Sequence, residues 1–200
     1  MSRKKLVRFA QNEANPNVIQ AGKPLFETIK GNWHEVQFQN QQPLVVELAC
    51  GRGEFTVGLG REYRDQNFVG VDIKGSRIWK GSSTATAEGL TNVAFLRTQI
   101  QNLDQFFAEG EIAELWITFP DPFPRDGDEK RRLTSPKFLE MYKPMIKSGG
   151  IIHFKTDNTG LFDYTLELVK SREDIEILAF THDFYQSEMR DDHHCIKTRY

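Results

Sequence analysis

Cysteine is scarce in this chain: Cys50 and Cys195 are the only two, far apart and in no C-x-x-C pair. That spacing gives no disulfide framework and suits a reducing compartment. Long apolar runs are missing as well. None approaches the ~20 residues that a helix needs to cross a bilayer, so no membrane span is expected. The N-terminus, MSRKKLVRF, is basic but lacks the apolar stretch of a secretory signal. There are no internal repeats. Histidine is sparse too, and the pair His193-His194 beside Cys195 has no second ligand pair at metal-binding spacing, so no metal is expected.

What is present fits one globular domain. Two hundred residues at 38% hydrophobic and 27% charged can build a full core. The net charge of -2 is unevenly spread. Residues 1–30 hold Arg3, Lys4, Lys5, Arg8, Lys23 and Lys30 against Glu13 and Glu27, and residues 125–147 hold seven basic side chains against four acids. Such polarity can steer a polyanion to one face. Charge alone leaves a plain solvated surface as an equal reading.

Strand-like runs recur with helical segments between them. LVVELAC (44–50), NFVGVDI (67–73), NVAFLRT (92–98), AELWITF (113–119) and GIIHFKT (150–156) are rich in β-branched and aromatic residues. Segments 54–64, 75–89, 101–108 and 135–147 read as helices, the last with Pro136 in its first turn and Gly149-Gly150 as its stop. A helix at 159–171 and a strand IEILAFT (175–181) complete the series. The alternation predicts an α/β fold around a mostly parallel, doubly wound sheet. Residues 1–40 are expected to form a basic arm with one helix near 24–34, laid over a domain spanning 41–200.

The stretch VVELACGRGEF places Glu47 in a strand and Gly51-x-Gly53 at the strand-to-helix turn. The glycines let the backbone approach a ligand at the carboxyl end of the sheet. A dinucleotide fold would place a third glycine where Thr56 stands, and Glu47 would repel a pyrophosphate. An acid there suits the ammonium of S-adenosylmethionine, a zwitterion without phosphate. Asp72, ending the second strand, can bind ribose hydroxyls, although helix capping is the competing role. Gln99, after the third strand, can read an adenine edge or be a plain loop residue. Asp121 follows LWITF between Pro120 and Pro122, which stiffen the backbone around a carboxylate facing the crevice.

These stretches are similar to the bacterial tRNA (guanine-N7-)-methyltransferase family. The resemblance rests on ELACGRGEF, VGVDIK, F-P-D-P-F-P followed by D-E-K-R-R-L, GGIIHFKTDN and the terminal K-T-R-Y. It implies a class I S-adenosylmethionine-dependent methyltransferase fold, Rossmann-like, with a mostly parallel seven-stranded sheet. Because the chain stops at Tyr200, the last strand is expected to be cut short. The implied reaction moves a methyl group from S-adenosylmethionine to N7 of the variable-loop guanosine at tRNA position 46. By the same resemblance Glu47, Gly51, Gly53, Asp72, Gln99 and Asp121 border the donor, and Asp121 is catalytic. Arg125, Asp157, Thr198, Arg199 and Tyr200 are assigned to the tRNA.

The charge run Lys130, Arg131 and Arg132 would grip phosphates, as would the arm at Arg3-Lys4-Lys5, ordering on RNA. The loop departs from the family in Phe123, which stands for a tryptophan, and in Gly127-Asp128, which fills a usually basic portion. Asp72 replaces a more common glutamate, and Gln99 a more common acid. The implied partner is tRNA in the cytoplasm, without membrane or metal, and the protein is a monomer or a homodimer. Other readings remain: a methyltransferase of the same fold acting on a small molecule or protein, or an RNA-binding protein without catalysis. A nicotinamide enzyme comes last, opposed by Glu47 and the missing third glycine.

Overall fold

The apolar runs become strands because their alternate residues bury on opposite faces. The computed structural model describes residues 3–190 and Ile196, and among them six strands form one sheet, every pair parallel. They are β1 Val18–Gln20, β2 Leu44–Leu48, β3 Asn67–Val71, β4 Val93–Arg97, β5 Ile112–Thr118 and β6 Ile146–Lys155. The helices are α1 Arg3–Ala14, α2 Glu54–Glu62, α3 Gly75–Ala87, α4 Pro136–Tyr142 and α5 Thr159–Lys170.

Val46, Leu48, Val69 and Ile117 face one core, which contains Trp33, Phe138 and Tyr142. Val45, Phe68, Phe95 and Trp116 face the other, against Phe55 and Leu59 of α2 and Ile78 of α3. The period of two thus splits each strand between two apolar layers, as a parallel sheet covered on both faces requires. No helix among the described residues is long and apolar enough to cross a membrane.

Several local expectations need correction. The first forty residues are woven into the sheet: β1 pairs with β4, and Ile29, Trp33 and Phe38 lie in the main core. The expected helix near 24–34 is instead a short 3₁₀ turn at Pro24–Glu27 and a π-helical turn at Trp33–Phe38. Arg3-Lys4-Lys5 belong to α1, which is already ordered by docking on α3 through Asn12 to the Gly75 carbonyl and Trp79 to Gln11. Finally, 175–181 adds no strand, so the sheet of the described residues has six strands rather than seven; Ile175 packs against the main core, but Leu178 and Phe180 are 67% and 53% exposed.

Gly149 and Gly150 also differ from their reading as a helix stop. They lie inside β6, at a register shift against β5 between Ile112 and Glu114. Gly149 is left-handed (φ 72°), and a Cβ on Gly150 would sit 2.9 Å from the Ala113 carbonyl oxygen. This is a bulge that only glycine fits.

Strand order is β1-β4-β3-β2-β5-β6. After β2 the chain winds to β3 on one side, and after β4 it crosses to β5 on the other. The switch point therefore lies between β2 and β5, where open α/β sheets bind ligands.

Candidate active site

On one side of the switch point is the loop after β2. Ala49, Gly51 and Gly53 adopt left-handed backbones with φ of 55°, 57° and 69°. The two glycines have different reasons to be glycine. A Cβ on Gly53 would fall 2.5 Å from the Phe95 ring and 3.2 Å from the Gly81 Cα, so this residue lets α3 and β4 close on the loop. A Cβ on Gly51 meets nothing nearer than the Ala49 carbonyl oxygen at 3.9 Å, so space lies open beside it.

Asp72 locks this loop to the end of β3. One carboxylate oxygen accepts from the Gly51 amide at 3.0 Å and the other from the Lys74 amide at 2.7 Å. Each oxygen keeps a second lone pair for a ligand. The residue is 8% exposed, at the carboxyl edge of the sheet.

Glu47 lies beneath the loop, 4% exposed. One oxygen accepts from both the amide and the hydroxyl of Thr56, the amide at 2.9 Å, and the other accepts from the Thr118 hydroxyl at 2.7 Å. Thr56 is the third residue of α2, so a side chain from a strand caps a helix that Gly53 leaves without a side-chain cap. The positive end of the helix dipole favours a carboxylate there. Burial pushes the Glu47 pKa above the ordinary 4.5, the hydrogen bonds from Thr56 and Thr118 hold it down, and the Asp72 charge adds to the rise. Thr56, which occupies the place of a third glycine, is the signal that could have revealed this role. Burial also pushes the nearby Cys50 thiol well up, followed by the charges of Glu47 and Asp72, which leaves it a poor nucleophile.

Across the switch point, the loop after β5 carries Asp121. Phe119 and Phe123 bracket it, both left-handed at φ 46° and 42°. Bulky side chains rarely adopt this backbone, at a cost of about 1–3 kcal/mol each, so surrounding contacts must enforce it. The Phe119 amide donates to the Lys155 carbonyl at 2.8 Å, and the Lys155 ammonium lies 5.8 Å from the Phe119 ring centre. On the other side, Arg132 Nε donates to the Phe123 carbonyl at 3.1 Å while its guanidinium stacks 4.3 Å over Tyr164 of α5. Tyr164 in turn donates to Glu129 at 2.6 Å, and its pKa is pushed up to about 12, first by burial and then by Glu129. Asp121 itself is exposed.

The three consecutive basic residues thus divide. Arg132 is 9% exposed and holds the loop. Arg131 lies 4.2 Å over the Phe123 ring and pairs with Asp128 at 3.1 Å. Lys130 and Arg125 are exposed. At the end of β6, the cap of α5 is Asn158, whose side-chain oxygen accepts from Leu161 at 2.8 Å. Asp157 is therefore not needed as a cap and stands exposed beside it. Gln99 is exposed after β4. Thr198, Arg199 and Tyr200 lie outside the described residues, as do His193 and His194. Gly51, Asp72, Gln99, Asp121 and Asp157 consequently share one edge, each just past the carboxyl end of a strand.

A family model described as "Putative methyltransferase" matches residues 41–200. A tRNA (guanine-N(7)-)-methyltransferase of Cytophaga hutchinsonii is 47% identical over 100% of this chain and 90% of its own length. Those of Christiangramia forsetii and Bacteroides fragilis are 48% and 44% identical, covering 94% and 100% of this chain and 85% and 80% of theirs. Among solved structures, an rRNA methylase from Streptococcus thermophilus aligns with a TM-score of 0.50 at 19% identity, over 77% of this chain and 82% of that one. The aminoglycoside resistance methyltransferase NpmB1 aligns at 0.53 and 19%, over 68% and 66%. At such identities the structures speak to the fold alone, and that fold is the class I methyltransferase fold.

Proposed function

The chain belongs to the tRNA (guanine-N(7)-)-methyltransferase family, and from that premise we propose that its donor is S-adenosylmethionine and its target the variable-loop guanosine at tRNA position 46. The observation that carries this reading is the pairing of two loops at the switch point. One is open beside Gly51 and edged by the Asp72 carboxylate. The other holds Asp121 between two strained aromatic residues.

The residues fit such a donor. Asp72 has lone pairs left for ribose hydroxyls, Gln99 offers an amide to an adenine edge, and Gly51 leaves room for the chain between them. Glu47 supports the donor site chiefly from below, by fixing α2 and the loop. When bound, S-adenosylmethionine supplies an electrophilic methyl group.

Guanine N7 presents an in-plane lone pair and carries no proton, so the site requires no general base. Its work is alignment. Asp121 accepts from the N1 and N2 hydrogens of guanine and offsets positive charge growing on the purine. Phe123 packs on the base or ribose in this reading. Arg125, Lys130, Arg131 and Asp157 hold the surrounding nucleotides by backbone and shape rather than by sequence, and Thr198, Arg199 and Tyr200 are assigned there by family likeness. In this reading residues 41–200 form the methyltransferase domain, 1–40 a basic extension that adds β1 to its sheet, and the enzyme works in the cytoplasm.

The test uses labelled S-adenosylmethionine with unmodified tRNA transcripts carrying guanosine or adenosine at position 46. Labelling of the guanosine transcript alone supports the reading. Equal labelling of both, or of neither by a protein that binds the donor, overturns it.

A further inference from the structure

The site uses the cations on the β5–β6 side of the switch point, but a second cationic face lies on the β3–β4 side. Helix α1 carries Arg3, Lys4, Lys5 and Arg8. It docks on α3, where Lys74, Arg77 and Lys80 follow one another without an intervening acid. Segments 3–12 and 73–87 together contain seven basic residues and no acid, in a chain with 28 acids and 26 bases. An ordinary surface interleaves the two signs.

Packing joins these residues to the edge of the sheet. Arg97, the last residue of β4, lies 5.1 Å from the Phe9 ring centre, and the Lys5 ammonium lies 5.7 Å from the same ring. Arg97 also donates to the Ile73 carbonyl at 3.3 Å. Arg8 stacks 4.6 Å over Trp79, which ties the face to α3. None of these eight cations forms an ion pair with an acid among the described residues. The nearest acids in sequence are engaged elsewhere. Glu13 accepts from Gln20, Glu88 is paired with Arg61, and Asp72 accepts from the Gly51 and Lys74 amides. Arg3, Lys4, Lys5, Lys74 and Lys80 are exposed.

We infer that this α1–α3 face is a second binding surface for the phosphodiester backbone of the RNA substrate. It rests on the tRNA reading above. Lys74 lies two residues beyond Asp72 and Arg97 two before Gln99, so the face begins at the rim of the donor edge. With Arg125, Lys130 and Arg131 on the opposite flank, an RNA bound over Asp121 is held on both sides of the crevice. A preformed helix with unpaired cations releases counterions on binding without first folding. Leu6 and Val7, 56% and 51% exposed on the same helix, make an anionic membrane surface the competing partner.

The experiment compares wild type with the variant Arg3→Ala, Lys4→Ala, Lys5→Ala, Lys74→Ala, measuring tRNA binding across a salt series and methyl-transfer kinetics. Each phosphate contact contributes roughly 0.7–0.9 to the slope of log affinity against log salt. The expected result is a slope shallower by about 2–3 and a tRNA KM raised about tenfold or more. In the same expectation kcat and donor affinity stay within about twofold, because these cations touch the backbone and not the reacting base. Should that variant fold poorly, Lys4→Gln with Lys5→Gln reads the same slope with a proportionately smaller change. An unchanged slope and KM overturns the inference. So does wild-type binding to phosphatidylserine vesicles that the substitutions abolish while RNA affinity is unaffected. If wild type binds no tRNA at all, the substrate reading falls with it, and the two failures are thereby distinguished.

Discussion

Arg132 donates a hydrogen bond of 3.1 Å to the carbonyl of Phe123, a residue whose own backbone is left-handed at φ 42°. The bond fixes one shoulder of the loop that presents Asp121. The same guanidinium rests on Tyr164 of α5, so the loop after β5 is fastened to a helix that follows β6. A strained backbone persists only where its surroundings over-determine it.

Replacing that latch should therefore affect catalysis more than RNA affinity. Arg132→Ala is expected to cost about 1–3 kcal/mol of stability by leaving a carbonyl unpaired. It should lower kcat by at least about tenfold, the effect of a small misplacement of a reacting group. Arg132→Lys should restore little, because Lys cannot both stack as a plane and donate from Nε. Arg131→Ala should instead raise the tRNA KM. Steady-state kinetics with thermal melting separates the two.

Asp121→Asn keeps the shape of the side chain but removes its charge. If Asp121 offsets charge on the purine, kcat should fall by about 10²–10³ while donor affinity stays within a few-fold. Calorimetric titration of the donor with single-turnover methylation reads both quantities.

Glu47 should show itself in the pH dependence of stability. Its folded pKa is raised above 4.5 by burial. As pH rises above that value the unfolded chain releases the proton first, so this group disfavours the fold increasingly until its folded pKa is passed. Glu47→Gln should flatten that part of the stability profile while still accepting from Thr56. Glu47→Ala should destabilise by about 1–3 kcal/mol, because the first turn of α2 loses its cap and Thr118 its acceptor. Denaturant melts between about pH 4 and 8 test both variants.

Tyr164 gives an alkaline counterpart. With its pKa pushed up to about 12, the hydroxyl stays protonated where an unfolded tyrosine ionises near 10. Stability is accordingly lost as pH rises from about 10 towards 12, and Tyr164→Phe should remove that loss. Ultraviolet titration of phenolate absorbance follows it directly.

Much of this was legible in the sequence, for identifiable reasons. Long β-branched runs such as LVVEL and ELWIT announce buried parallel strands, and the loops after them must line one edge, which is why Gly51, Asp72, Gln99 and Asp121 could be placed from spacing. Three-residue β1 carries too little pattern to be seen. Arg132 could not be told from Lys130 and Arg131, because a charge run does not reveal which member turns inward. Glu47 is half legible, since Thr56 in the place of a third glycine is 9 residues away and Thr118 is 71 residues away. The second is set by sheet register rather than by local sequence.

The most direct measurement replaces guanosine 46 of an unmodified transcript with its 7-deaza analogue, which lacks the nitrogen lone pair and keeps the rest of the base. Methyl transfer from S-adenosylmethionine to the guanosine transcript and none to the analogue is the expected result, with both binding equally. Equal labelling of the two would contradict it, placing the reacting atom somewhere other than N7 at position 46.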